Sequence, residues 1–184
     1  MKLSVSATTL LCAISGADAY RSNRFLDARD AKAITDVFAA VQSNIDSLDQ
    51  AVLAWTCNPG PVLKASYTLI STIKTGVNTV SASANLTLSE SLSLLTPVQN
   101  LKTHAQTLVN DLKAKKPQIQ TDFECDVVRQ TISDMSTNSK GLVDATISKV
   151  PAAAQDIAKK QAQGILDVLN DAQTSFNTTN CVNA

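Results

Sequence analysis

The sequence predicts an all-α protein, an up-and-down antiparallel bundle of about five amphipathic helices. Three observations predict it. Apolar residues recur at steps of three and four along most of the chain, prolines and short polar links punctuate that rhythm, and no stretch alternates apolar with polar as a half-buried strand would.

The first stripe runs through Ile34, Val37, Phe38, Val41, Ile45, Leu48, Val52 and Trp55, after a polar lead-in from Arg21 to Arg29. It stops at Cys57-Asn58-Pro59-Gly60-Pro61, where Pro61 can open a second helix because its missing N–H is not needed there. That second helix carries Leu63, Tyr67, Ile70, Ile73, Val77 and Val80. It is rich in Thr and Val, so packing rather than propensity must hold it. A break is expected at Ala84 to Leu88, with Ser89 as the cap of the next helix. The third stripe is Leu92, Leu95, Val98, Leu101, Ala105, Leu108 and Leu112. It closes on Lys113, Lys115 and Lys116, cations suited to a helix C-terminus, and then Pro117. A fourth helix passes Phe123, Val127, Val128, Ile132, Met135, Leu142, Val143 and Ile147, with a kink expected in the polar stretch Ser136 to Gly141. Pro151 starts the fifth, which carries Ile157, Ala162, Ile165, Leu169, Ala172 and Phe176.

Residues 1–19 read as a secretory signal peptide. Met1 and Lys2 give a basic start, Val5, Leu10, Leu11, Ala13 and Ile14 an apolar run too short to span a bilayer, and Ala17-Asp18-Ala19 a small-residue cleavage signal. Residues 20–184 are then one helical domain, long enough for a sizeable core. Loss of Lys2 and Asp18 leaves it formally neutral, because the chain has 16 Lys+Arg against 16 Asp+Glu. With no basic patch to release counterions, nucleic acid is not an expected partner, and no segment is apolar enough to be transmembrane. The polar C-terminus, Asn177 to Ala184, lacks the apolar tail of a lipid-anchor signal, so a secreted, extracellular product is expected. In that setting Asn85-Leu86-Thr87 and Asn177-Thr178-Thr179 are glycan acceptor triplets on Asn85 and Asn177.

Cys12 departs with the leader and leaves Cys57, Cys125 and Cys181, two of which should pair in an oxidising compartment. Alternating helices would bring all three to one end of the bundle. Cys57 with Cys125 is the favoured pair, with Cys181, on a terminal stretch, as the alternative partner.

No catalytic residues are assigned. His104 is the only histidine and falls mid-helix, away from the cysteines; Asp122, Glu124 and Asp126 precede or open a helix, where negative charge suits the macrodipole. No C-x-x-C, H-E-x-x-H, G-x-S-x-G or phosphate-binding glycine loop occurs, so neither a metal site nor a cofactor is expected. Five long apolar stripes remain, with aromatic residues at only 4% to fill the centre between them. Helices about 40 Å long and lined by Val, Ile, Leu and Ala can leave an axial tunnel for an acyl chain, or open and lay their stripes on an apolar surface. The mid-helix candidates for that contact are Ile45, Leu48, Val52, Ile70, Ile73, Val77, Leu101, Leu108, Met135 and Leu142.

The leader, Arg29-Asp30 before Ile34, Val37, Val41, Ile45 and Leu48, the Pro-marked last helix with Ile165, Leu169 and Phe176, and the neutral Ala/Ser/Thr-rich body resemble one fungal family. It is the hydrophobic surface binding protein A family, which includes cell wall galactomannoproteins, and the likeness runs from Arg29 to Phe176. The resemblance implies a secreted or cell-wall-associated helical bundle that adsorbs to hydrophobic surfaces or holds long-chain fatty acids between its helices, with recruitment of secreted hydrolases as a further role. It brings no catalytic residue, so the chain is read as a binder rather than an enzyme. The alternative is a secreted protein-interaction module, an inhibitor or effector presenting a helix face to another protein.

Overall fold

The structure, a computed structural model, describes the backbone of residues 16–184 and the side chains of residues 31–184. Most of the expected leader, and Cys12 with it, lies outside the described residues. The described chain is helical: α1 (Gly16–Leu53), α2 (Gly60–Ala82), α3 (Leu88–Ser93), α4 (Leu95–Ala114), α5 (Lys116–Thr121), α6 (Cys125–Lys149) and α7 (Ala152–Ser175). The lead-in Arg21 to Arg29 joins α1 rather than preceding it, since neither Gly nor Pro interrupts residues 17–53.

The five long helices form a closed ring in the order α1, α2, α6, α7, α4 and back to α1. Direction alternates along the chain as expected, but most neighbours in space are parallel. His104 meets Asp46 while Lys115 reaches the Trp55 carbonyl, so α1 and α4 run together. Lys102 lies at Gly164 while Lys113 pairs with Asp171, so α4 and α7 do too. Val77 meets Gly141 while Lys149 donates to the Ser81 carbonyl, which makes α2 and α6 parallel. A ring with an odd number of members cannot be antiparallel throughout; only the hairpins α1–α2 and α6–α7 are.

Two short helices cross the ends of the ring. At one end the links around α3 carry the chain from α2 to α4, where Leu86 N donates to the Lys149 carbonyl at 2.8 Å. Thr87, not Ser89, caps α3: its hydroxyl accepts from Glu90 N while the Glu90 carboxylate accepts from Thr87 N, a reciprocal capping box. At the other end α5 carries the chain from α4 to α6. Its last turn closes with Glu124 N on the Ile119 carbonyl and Phe123 N on the Gln120 carbonyl, which puts Phe123 at φ 62° in the left-handed region.

The kink expected at Ser136 to Gly141 is absent, and α6 runs unbroken. Its polar side chains there bond back onto their own helix, Thr137 to the Ser133 carbonyl and Asn138 to the Asp134 carbonyl, so they need no break.

The favoured disulfide is corrected. Cys125 bonds Cys181, with Cα atoms 5.6 Å apart, and Cys57 is free and exposed. The terminal stretch that carries Cys181 is tied down. Asn177 Oδ1 accepts from Thr179 N and Asn180 N, Asn183 Oδ1 accepts from Cys125 N, and Arg129 donates to the Phe176 and Cys181 carbonyls. These contacts hold Cys181 fully buried beside α6.

Candidate functional site

A five-membered ring has no helix at its centre. Axes about 9 Å apart place the centre line about 8 Å from each axis, while a helix with its side chains reaches about 5 to 6 Å. That leaves a bore about as wide as one extended acyl chain. The structure contains this bore as a cavity of about 180 Å³ walled by all five long helices.

Its wall comes from Phe38, Val41, Ile45, Leu48 and Val52 on α1, and from Val62, Leu69 and Ile73 on α2. Leu101, Ala105, Leu108 and Leu112 on α4 continue it, with Val128, Ile132, Met135 and Leu142 on α6 and Ile165, Val168 and Ala172 on α7. Trp55 and α5 lie at one end, Leu94 and α3 at the other. From Phe38 to Val52 the α1 wall runs roughly 21 Å at the rise of an α-helix.

The wall offers little polarity. The Ser66, Thr131 and Thr146 hydroxyls donate to carbonyls of their own helices, of Val62, Val127 and Leu142. Glu124 is the one ionisable residue of the wall and Gln161 its one amide. Such a bore excludes water, because water needs two to four polar partners to enter a cavity. Left empty, a void of this size costs about 4 kcal/mol of stability, which an apolar occupant would offset. The arrangement suits binding by burial.

Of the sequence candidates, Ile45, Leu48, Val52, Ile73, Leu101, Leu108, Met135 and Leu142 come together in this wall. Ile70 and Val77 do not. They stand on the flank of α2 that meets α6, where Val77 lies 3.7 Å from the position of a Cβ on Gly141, so they seal a seam rather than face the bore. The sequence candidates include none from the last helix, although its Ile165 and Leu169 carry the same periodic signal and line the cavity.

The polar clusters lie elsewhere and have structural partners. His104 Nδ1 is 2.5 Å from Asp46 Oδ1 on the outer seam of α1 and α4. Trp55 Nε1 donates to Asp122, and Arg129 pairs with Asp126. Asp49, also on the α1–α4 seam, has its carboxyl pKa raised, first by burial and then by the charge of Asp111 and Asp46 nearby. Its Oδ1 is buried with no donor, as expected of two facing carboxylates unless one is protonated. Among the described residues no group of three or more His, Cys, Asp or Glu gathers around a metal position, and no helix is long and apolar enough to cross a membrane. Asn85 is exposed in the link before α3, and Asn177 is half-buried.

Comparison with known proteins agrees with this architecture. Ligand binding domain 1 of the Penicillium marneffei MP1 protein, complexed with arachidonic acids, superposes with a TM-score of 0.77 at 19% identity, covering 80% of this chain and 99% of that one. Afmp4p in complex with palmitic acid gives 0.75 at 21% identity, with 80% and 99% covered. At these identities the likeness is one of fold. Cell wall mannoprotein 1 of Aspergillus flavus is 30% identical over 132 residues, 71% of this chain and 48% of the relative. Its namesake in Aspergillus fumigatus is 30% identical over 158 residues, 82% and 55%. The chain thus spans about half the length of these curated relatives. The sequence profile of hydrophobic surface binding protein A matches residues 31–148, more than half of the chain. This chain belongs to the hydrophobic surface binding protein A family.

Proposed function

We propose that the protein is a non-enzymatic binder of long-chain fatty acids or similar lipids, which it holds inside the ring of helices. The observation that carries this reading is the apolar bore walled by five helices. Solved structures of the same fold were obtained with arachidonic and palmitic acids, which supports a fatty acid as occupant. The wall residues named from the sequence, Ile45, Leu48, Val52, Ile73, Leu101, Leu108, Met135 and Leu142, are then ligand contacts. Residues 1–19 act as leader and residues 20–184 as the mature domain. Its place is extracellular or at the cell wall, in line with the names of the curated relatives, and Asn85 and Asn177 are its glycan acceptors.

Native mass spectrometry of the secreted protein, followed by lipid extraction under denaturing conditions, tests this. A co-purifying acyl species at one or a few copies per chain is the expected result. A ligand-free protein that takes up no palmitate when offered it would sink the reading.

A second reading, adsorption to an apolar surface with recruitment of a secreted hydrolase, has one observation in its favour. Of the exposed large apolar side chains, Leu53, Tyr67, Phe123, Val127 and Val182 belong to the half of the bundle that ends in α5, against Leu88, Leu92 and Ile157 in the other half. Replacing Phe123 and Val182 with Ser should halve adsorption to a hydrophobic film, or more, while leaving palmitate uptake intact. Equal adsorption by the two proteins would remove this reading.

A further inference from the structure

The bore is apolar, but its two ends differ in charge. Towards α5 the wall includes Glu124, at the start of α6, next to the half-exposed lining residue Val127. Of the cations of that end, Lys115 donates to the Trp55 carbonyl, Lys116 to the Ser175 carbonyl, and Arg129 to Asp126 and two tail carbonyls, while Lys64 on α2 stands exposed and is not part of the wall. Towards α3, in the seam between α4 and α7, the wall includes Gln161 together with the half-buried Leu95 and Val98.

Lys102 lies over this second seam. A Cβ placed on Gly164 would stand 3.1 Å from its Nζ, so the ammonium rests in the space that the missing side chain leaves open. Gln161 is three residues before Gly164 on α7, and such positions have Cβ atoms about 5 to 6 Å apart, which brings its amide within reach of the same point. Among the described residues Lys102 makes no ion pair. Lys160, one turn before Gly164, adds a second exposed cation on that flank. The acidic residue of α3, Glu90, is held in its capping box.

We propose that Lys102 and Gln161 form the headgroup subsite of the channel: Lys102 pairs with the carboxylate of a bound fatty acid, Gln161 donates to it, and the acyl tail points towards Trp55. This inference rests on the reading of the bore as a lipid site and adds its polarity. A carboxylate at the opposite end would meet Glu124, and the wall there holds no cation. Along α4, Lys102 lies 13 residues before Lys115, which touches Trp55, so headgroup and tail end are separated by roughly 20 Å.

Two measurements on the mature protein test it. Trp55 is the only tryptophan, so its fluorescence reports the tail end. Stearate labelled with a nitroxide at carbon 16 should quench it strongly and stearate labelled at carbon 5 weakly; the reverse order overturns the proposal. Lys102 is exposed, so Lys102→Glu should fold, and it should weaken palmitate binding about ten- to thirtyfold while leaving the uncharged hexadecanol within about twofold. Equal loss for both ligands, or no loss for palmitate, overturns it. A wild-type protein that binds neither ligand removes the lipid-binding reading as well, an outcome distinct from uptake of both without the palmitate-specific effect.

Discussion

The two ends of the helical ring are closed by different means. At the α5 end closure is covalent and polar: the Cys125–Cys181 bond, Trp55 on Asp122, Lys115 and Lys116 on helix-terminal carbonyls, and a tail pinned by Arg129 and Asn183. At the α3 end closure rests on apolar packing of Leu86, Leu94, Val150 and Ala154, one backbone bond from Leu86 to Lys149, the Lys149 side chain on the Ser81 carbonyl, and a six-residue helix held by its capping box. A short helix with few long-range bonds belongs to the low-stability part of a fold, the part that opens first. For a ligand held in the bore, that contrast predicts the α5 end as a fixed base and the α3 end as the door.

The largest effect should come from the base. The Cys125–Cys181 bond closes a loop with a sequence separation of 56, and a crosslink of that length stabilises by about 4 kcal/mol in the chain-entropy account. Replacing both cysteines with Ala should lower stability by about that much in urea unfolding. Hydrogen exchange at α3 should change little, since the bond does not touch that end.

Next comes the tight seam between α1 and α2, which holds the ring closed midway. A Cβ on Gly76 would sit 2.6 Å from Val37 Cγ1. Gly76→Ala should therefore cost about 1 to 3 kcal/mol, despite the better helix propensity of alanine. Thr87→Ala, at the door, removes the reciprocal cap and should cost about 1 kcal/mol. Faster exchange of α3 amides and faster palmitate uptake should accompany it; uptake at the wild-type rate would mean that the ligand enters elsewhere. Back at the base, Phe123 occupies a left-handed position, 65% exposed, where glycine carries no strain. Phe123→Gly should stabilise by about 1 kcal/mol.

The smallest effect is electrostatic and lies between the two ends. Folding raises the pKa of Asp49, so between its ordinary value of 3.8 and the raised one the folded state holds the proton more tightly than the unfolded state. Stability contributed by this group is therefore present at low pH and lost as pH rises through that window. Asp49→Asn should flatten this pH dependence and stabilise the protein slightly at neutral pH, as thermal unfolding across pH 3 to 7 would show.

Much of the wall was legible in the sequence because one periodicity produced it. Ile45, Leu48 and Val52 fall on the α1 stripe, and a stripe must face the interior whatever the arrangement of its neighbours. Ile70 and Val77 show the limit of that argument. A helical stripe is wide enough to serve both a bore and a seam, and only the ring order, with α6 beside α2, decides which residue does which. The order itself depends on contacts between distant segments that leave no periodic mark. The disulfide pairing is illegible for the same reason: the tail is ordered by single contacts from Arg129 and Asn183, each to a residue more than 40 positions away. The capping box of Thr87 and Glu90 is different, since its T-x-x-E spacing stands in the sequence and outranks Ser89 as a cap signal.

The central claim is that the bore is a ligand site rather than a packing defect, and filling it separates the two most directly. Ala162 is buried, lines the cavity, and has room in front of it. The measurement is palmitate binding by isothermal titration of Ala162→Phe beside the wild type, with thermal unfolding of both. The account predicts a variant that is more stable by about 1 to 2 kcal/mol, because it fills part of the void, and that no longer takes up palmitate. A stabilised variant that still binds palmitate with wild-type affinity would place the ligand outside the bore and contradict the account.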